Sequence, residues 1–137
     1  MPVSVETMAP SKSRLVTGRV ITILVVLFLA VDIVFKFMRP IPPQVLQSIS
    51  QLGFQPSILI VSGVLLLVCT LLYVLPVTSV LGAVLLTGYL GGAVSVHVRV
   101  GNPLFGSILF PVYVGILLWT GLCLREPRLL AVLPLRK

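Results

Sequence analysis

The chain has 137 residues, 58% of them hydrophobic and only 9% charged, with a mean hydropathy of +1.18. A soluble domain carries about 25% charged residues, so the composition excludes a soluble catalytic domain, a disulfide scaffold and a disordered segment, and marks a small integral membrane protein. Ten Lys and Arg against three Asp and Glu give a net charge of +7, an excess that in such a protein bears on topology and anionic lipid before nucleic acid.

A helix that crosses a bilayer takes about 20 mostly apolar residues, and four stretches qualify. A basic tail, residues 1–19, precedes the first span, 20–38, bounded by Arg19 and Arg39. Asp32 and Lys36 interrupt this span and no small-residue cleavage site follows it, so it does not read as a cleaved signal sequence. In the next segment Pro40, Pro42 and Pro43 break helix, and then Val45, Leu46, Ile49 and Leu52 recur at helical spacing. VLQSISQL therefore predicts a short helix on or dipping into the outer membrane surface. The second span, 57–75, is uncharged, and Pro76 leaves only a tight turn before the third, 77–98. A Gly-Asn-Pro turn leads to the fourth span, 104–124, where Pro111 predicts a kink. A second basic tail, 125–137, closes the chain. Backbone satisfaction in lipid demands helices, so the expected fold is all-α, an antiparallel bundle of four transmembrane helices.

Charge orients the bundle. Lys12, Arg14, Arg19, Arg125, Arg128, Arg136 and Lys137 lie on the side of the termini, against Lys36, Arg39 and Arg99 on the other. The positive-inside rule then places both termini in the cytoplasm of a multi-pass protein of the cell membrane.

Ionisable residues inside a membrane are costly and so are functional candidates. Asp32 sits about 9 Å inside the outer end of the first span, at 1.5 Å per residue. Lys36, four residues on, shares its helical face. One reading is an internal ion pair that cancels its own charge; the other is a carboxylate lining an outward-facing cavity. His97 and Arg99 end the third span on the same outer side, so the four groups are expected to converge. Asp32 and His97 would exchange protons near neutral pH, and Lys36 and Arg99 would hold an anion or a polarised carbonyl.

In the third span Gly88 and Gly92 form a GxxxG, widened by Gly91 and continued by Ser95. Such slim surfaces let helices approach closely, so packing within the bundle is expected, with a dimer face or a slot for a flat ligand as the other readings. Tyr73 and Trp119 are expected at the cytoplasmic interface. Cys69 and Cys123 stand apart with no metal-ligand spacing around them and read as small buried hydrophobes. No metal site, covalent cofactor or nucleotide motif is expected, and basic residues split over two membrane faces argue against nucleic acid.

LGAVLLTGYLGGAV at Leu81–Val94, HVR at His97–Arg99, GNPLF at Gly101–Phe105 and LREPRLLAVLPLR at Leu124–Arg136 resemble the DoxX-like family of small four-helix membrane proteins. Asp32, Lys36 and QLGF at Gln51–Phe54 are similar too. Where the family often carries a Glu in the second span and an Arg after its closing proline, this chain has Leu66 and Val77. The resemblance implies a bundle fold and an association with redox membranes, with relatives linked to quinone-dependent thiosulfate oxidation. The leading expectation is an accessory, non-catalytic subunit that packs against a larger membrane redox or transport complex or against itself. The alternative is a small quinone-linked oxidoreductase or quinone- or lipid-binding protein with an outer polar site. A transporter ranks third, because four short spans leave it little room.

Overall fold

The computed structural model of the protein describes residues 9–132; Arg136 and Lys137, which entered the charge asymmetry, lie outside the described residues. Every regular element among those residues is helical: α1 (Lys12–Phe37), α2 (Pro43–Gln51), α3 (Ile58–Val74), α4 (Ser79–Val100), a π-helical turn at Leu104–Ile108, α5 (Phe110–Arg125) and α6 (Pro127–Val132). Three segments are long and apolar enough to cross a membrane: Lys12–Phe37, Ser79–Val100 and Leu104–Arg125. The remaining expected span is the apolar helix α3, which at 17 residues is about 26 Å long.

The helix boundaries follow local chemistry more than hydropathy. α1 starts at Lys12, well before the apolar stretch, because the Ser11 side chain accepts a hydrogen bond from the Arg14 amide at 3.3 Å and caps it. Both α2 and α4 end in a left-handed glycine, Gly53 (φ 76°) and Gly101 (φ 74°). At each end a backbone bond wraps back over the last turn, Phe54 N–H to Ile49 O and Asn102 N–H to His97 O. In the fourth expected span the irregularity precedes Pro111. Proline has no N–H to offer the Ser107 carbonyl, and the chain widens there into the π turn, with Leu109 N–H bonded to Leu104 O at 2.9 Å. Pro111 itself falls in the first turn of α5, where a missing donor costs nothing.

α1 packs against α3 and α5, and α4 against the same two, which closes a ring of helices. Its core is Val25 and Leu29 of α1, Leu66, Cys69 and Tyr73 of α3, Ala83 and Leu86 of α4, and Leu118 and Leu122 of α5. Most other large apolar side chains face outward, among them Leu24, Leu27, Val61, Leu71 and Ile116. That inside-out distribution, with the apolar helix lengths, makes this a membrane protein.

Glycines set the closest approaches. A Cβ on Gly82 would collide with the backbone of Tyr73 and Leu72, one on Gly18 would meet Leu124 Cβ at 2.8 Å, and one on Gly121 would meet Thr22 Oγ1 at 2.8 Å. α4 is therefore packed hard at its beginning. Its buried residues, Ser79, Gly82, Ala83 and Leu86, all fall in the first eight positions. Tyr73, expected at the membrane interface, is instead fully buried, with its hydroxyl donating to the Leu118 carbonyl at 2.8 Å. Burial is possible because a partner for the phenol lies inside the core. Trp119 is only half-buried and donates its indole N–H to Thr87 Oγ1 at 2.8 Å, a bond from α5 to α4.

Candidate functional site

Beyond Leu86 the walls of the ring part on both sides of α4. On one side a cavity of about 700 Å³ opens between α3 and α4 at the end remote from the termini, roofed by α2. Val45, Ile49 and Leu52 turn one face of α2 over it, and of these Ile49 is buried. On the other side a groove of about 730 Å³ runs between α4 and α5, past Gly91, Gly115 and Trp119 to Arg14.

The glycine stripe explains both openings. Gly88, Gly91 and Gly92 have no atom within 4 Å of where a Cβ would sit, and Ser95 is exposed, its hydroxyl donating back to the Gly91 carbonyl at 3.0 Å. Close packing within the bundle is thus carried by Gly18, Gly82 and Gly121, not by Gly88, Gly91, Gly92 and Ser95. The tight contact at Gly82 lets α3 and α4 diverge further along, and the small residues leave that divergence unfilled. Gly88 and Gly92 form one wall of the cavity.

Lys36 and His97 both line this cavity. Lys36 Nζ donates to both Asp32 oxygens at 2.9 Å, which is the internal ion pair that the four-residue spacing predicts. The lysine side chain is 17% exposed and the carboxylate 39%, so the ammonium is the more enclosed partner and Asp32 joins the cavity only through it. His97 is fixed by the turn after α4, where Asn102 Nδ2 lies 2.7 Å from Nδ1. An amide nitrogen only donates, so Nδ1 accepts and the neutral ring carries its proton on Nε2. Arg99 is exposed and outside the cavity wall, its Nη2 reaching the Gly53 turn between α2 and α3. The four expected groups thus share one end of the molecule, but only Lys36 and His97 share the cavity.

Tyr89, Ser62, Gln44 and Ser48 complete the polar lining. The Tyr89 phenol stands beside Lys36 and Ser62. Its sequence signal was a tyrosine near the middle of a span, far from the ends where interfacial aromatics collect. Gln44, Ser48 and Ser62 gave no signal, because their role comes from how α2 folds over α3. Among the described residues no group of three His, Cys, Asp or Glu could hold a metal ion. Cys69 is buried in the core, Cys123 is half-buried, and both are free thiols.

The arrangement is an apolar slot with hydrogen-bond donors along its wall: a hydroxyl from Tyr89 beside the ammonium of Lys36, and a ring nitrogen from His97 about two turns further along α4. Such a slot suits a flat amphiphile that carries acceptor oxygens. Leu66, at the position where the family often has a glutamate, is fully buried in the apolar core, so no carboxylate enters the bundle there.

The sequence model of the DoxX-like family matches residues 20–121, which runs from within α1 to within α5 and includes every residue of the cavity. No curated protein and no solved structure shows significant similarity to the chain.

Proposed function

Since the chain belongs to the DoxX-like family, we propose that it is a small multi-pass protein of the cell membrane whose cavity between α3 and α4 binds a quinone-class headgroup. The observation that carries this reading is the unfilled slot at Gly88 and Gly92, whose wall also holds Lys36, Tyr89 and His97. The two carbonyl oxygens of a quinone are acceptors, and these three side chains are donors, so the residues present fit the group. A bound quinone supplies two-electron, two-proton chemistry. The chain's own part is to grip the ring between the glycine wall and the α2 roof. Tyr89 and Lys36 orient a carbonyl, and His97 exchanges a proton at Nε2. Asp32 compensates the charge on Lys36.

In this reading all four long helices cross the bilayer as an antiparallel bundle. Both termini are cytoplasmic, following the basic residues, and α2 lies at the outer interface. Binding of ubiquinone or menaquinone analogues to the purified protein, read by native mass spectrometry, tests the assignment. His97→Ala, Tyr89→Phe and Asp32→Asn should each weaken binding, and unchanged binding in all three ends the quinone reading.

A second reading, that of an accessory subunit of a larger redox or transport complex, is favoured by the half of α4 from Thr87 to Val100, which buries no residue. A slim helix half that leaves much of its surface exposed suits close approach by another transmembrane helix. Gentle extraction from the native membrane distinguishes the two: a stoichiometric second polypeptide supports the subunit, and the lone chain at every detergent strength counts against it.

A further inference from the structure

At the opposite end of the molecule the described residues gather five basic groups against one carboxylate, Glu126. Lys12, Arg14, Arg19, Arg125 and Arg128 lie there. The carboxylates among the described residues are Asp32, committed to Lys36, and Glu126, which forms no ion pair there. Arg19 and Arg125 line a groove of about 300 Å³ between α1 and the ends of α3 and α5. Bringing two guanidinium groups to one groove is unfavourable unless an anion joins them. Arg125 is held in place by its packing on Gly18 and by the Tyr73 ring, whose centroid is 5.7 Å from the guanidinium carbon.

Arg125 Nε and Nη2 are buried without a hydrogen-bond partner among the described residues, as are Arg14 Nε and Thr22 Oγ1, and the Tyr73 hydroxyl stands beside Arg125 and Thr22. Nε and Nη2 form the edge of a guanidinium that grips two oxygens of a phosphate at once. Away from the arginines the groove is walled by Ile23, Val26, Leu27 and Val74, a strip that continues into the lipid-facing surface. Charge at one end and a lipid-facing apolar strip at the other match a phosphate head with an attached acyl chain.

We propose that this groove is a binding site for one anionic phospholipid, its phosphate held between Arg19 and Arg125 and its first acyl segment lying against Val26, Leu27 and Val74. To hold the phosphate, the Arg125 donor edge, now buried, must turn into the groove that Arg19 also lines. Tyr73 supports the guanidinium from behind.

The test is native mass spectrometry of the purified protein in detergent, titrated with dioleoylphosphatidylglycerol, with dioleoylphosphatidylcholine or with inorganic phosphate. The expected result is one discrete phosphatidylglycerol adduct that phosphatidylcholine does not form. Arg19→Gln should weaken it about fivefold and Arg19→Gln with Arg125→Gln about thirtyfold. Arg125→Lys keeps the charge but loses the two-donor edge and should fall between these values. Arg19 is exposed, so its single variant keeps the fold and remains informative if the double variant does not. Equal adducts with phosphatidylcholine would overturn the proposal, as would an Arg128→Gln loss as large as that of Arg19→Gln, which would mean diffuse surface charge. Displacement of the lipid by millimolar inorganic phosphate would assign the site to a free oxyanion and overturn the lipid assignment.

Discussion

The Tyr73 hydroxyl donates a 2.8 Å hydrogen bond to the Leu118 carbonyl and so ties α3 to α5 through the centre of the ring. The Leu118 carbonyl already has a helical partner four residues on, so losing the hydroxyl strands no acceptor. Tyr73→Phe should cost only about 0.6 kcal/mol, the average for such bonds between membrane helices. Tyr73→Ala, which empties a fully buried site, should cost about 3–5 kcal/mol. Thermal unfolding in detergent separates the two.

Two glycines six residues apart on α4 should respond oppositely to the same change. Gly82→Ala forces a methyl group into the backbone of Tyr73 and Leu72 and should destabilise the protein by about 3 kcal/mol. Gly88→Ala meets nothing within 4 Å and should stabilise the helix by about 0.5–1 kcal/mol. Equal effects in a denaturation assay would contradict the packing described for α4.

The pair between Lys36 and Asp32 predicts a non-additive cycle. Lys36→Met strands a carboxylate inside the apolar stretch of α1, and Asp32→Asn strands an ammonium that is only 17% exposed. The double variant Asp32→Asn with Lys36→Met should be more stable than Lys36→Met alone by about 1 kcal/mol. Additive stabilities would mean that the two groups are solvated independently.

Trp119 is the sole tryptophan of the chain, so its fluorescence reports one bond. Thr87→Val removes the acceptor of the indole N–H. The emission maximum should move to shorter wavelength, with a loss of about 0.6 kcal/mol in stability. An unchanged spectrum would mean that α4 and α5 are not joined at this point in solution.

Filling the slot should separate binding from folding. Gly92 lines the cavity and has open space around it, so Gly92→Leu should leave thermal stability within about 0.5 kcal/mol. Binding of a quinone analogue should fall by at least about tenfold, equivalent to ~1.4 kcal/mol. Undiminished binding would move the ligand elsewhere.

The parts of this fold that were legible in the sequence are those written in local chemistry. Apolar runs located the helices, and the spacing of Asp32 and Lys36 offered their pairing as one of two readings. What was not legible depends on partners distant in the chain. The glycine motif at Gly88 and Gly92 reads like a packing surface, but Gly82, outside that motif, sits against the α3 backbone and leaves the later glycines bare. Tyr73 near a span end has the signature of an interfacial aromatic, and only the proximity of the Leu118 carbonyl explains its burial. His97 and Asn102 meet because Gly101 reverses the chain at a positive φ. That contact has no period or spacing to betray it; the helical spacing of Val45, Ile49 and Leu52 foretold α2 but not that it would roof a cavity.

The near-contact of backbones at Gly82 makes the crossing of α3 and α4 a fulcrum. From Gly82 to Gly92 is ten residues along α4, a lever of about 15 Å. A rotation of about 5° about that pivot moves the far arm by roughly 1.3 Å over such a length, close to the radius of a water molecule. A change in packing at Gly82, which does not line the slot, would therefore alter the slot's width from the other end of the helix. Substitutions around the turn at Leu75–Thr78 should tune ligand size at a distance, as the hinge of a pair of tongs sets the gap between its tips.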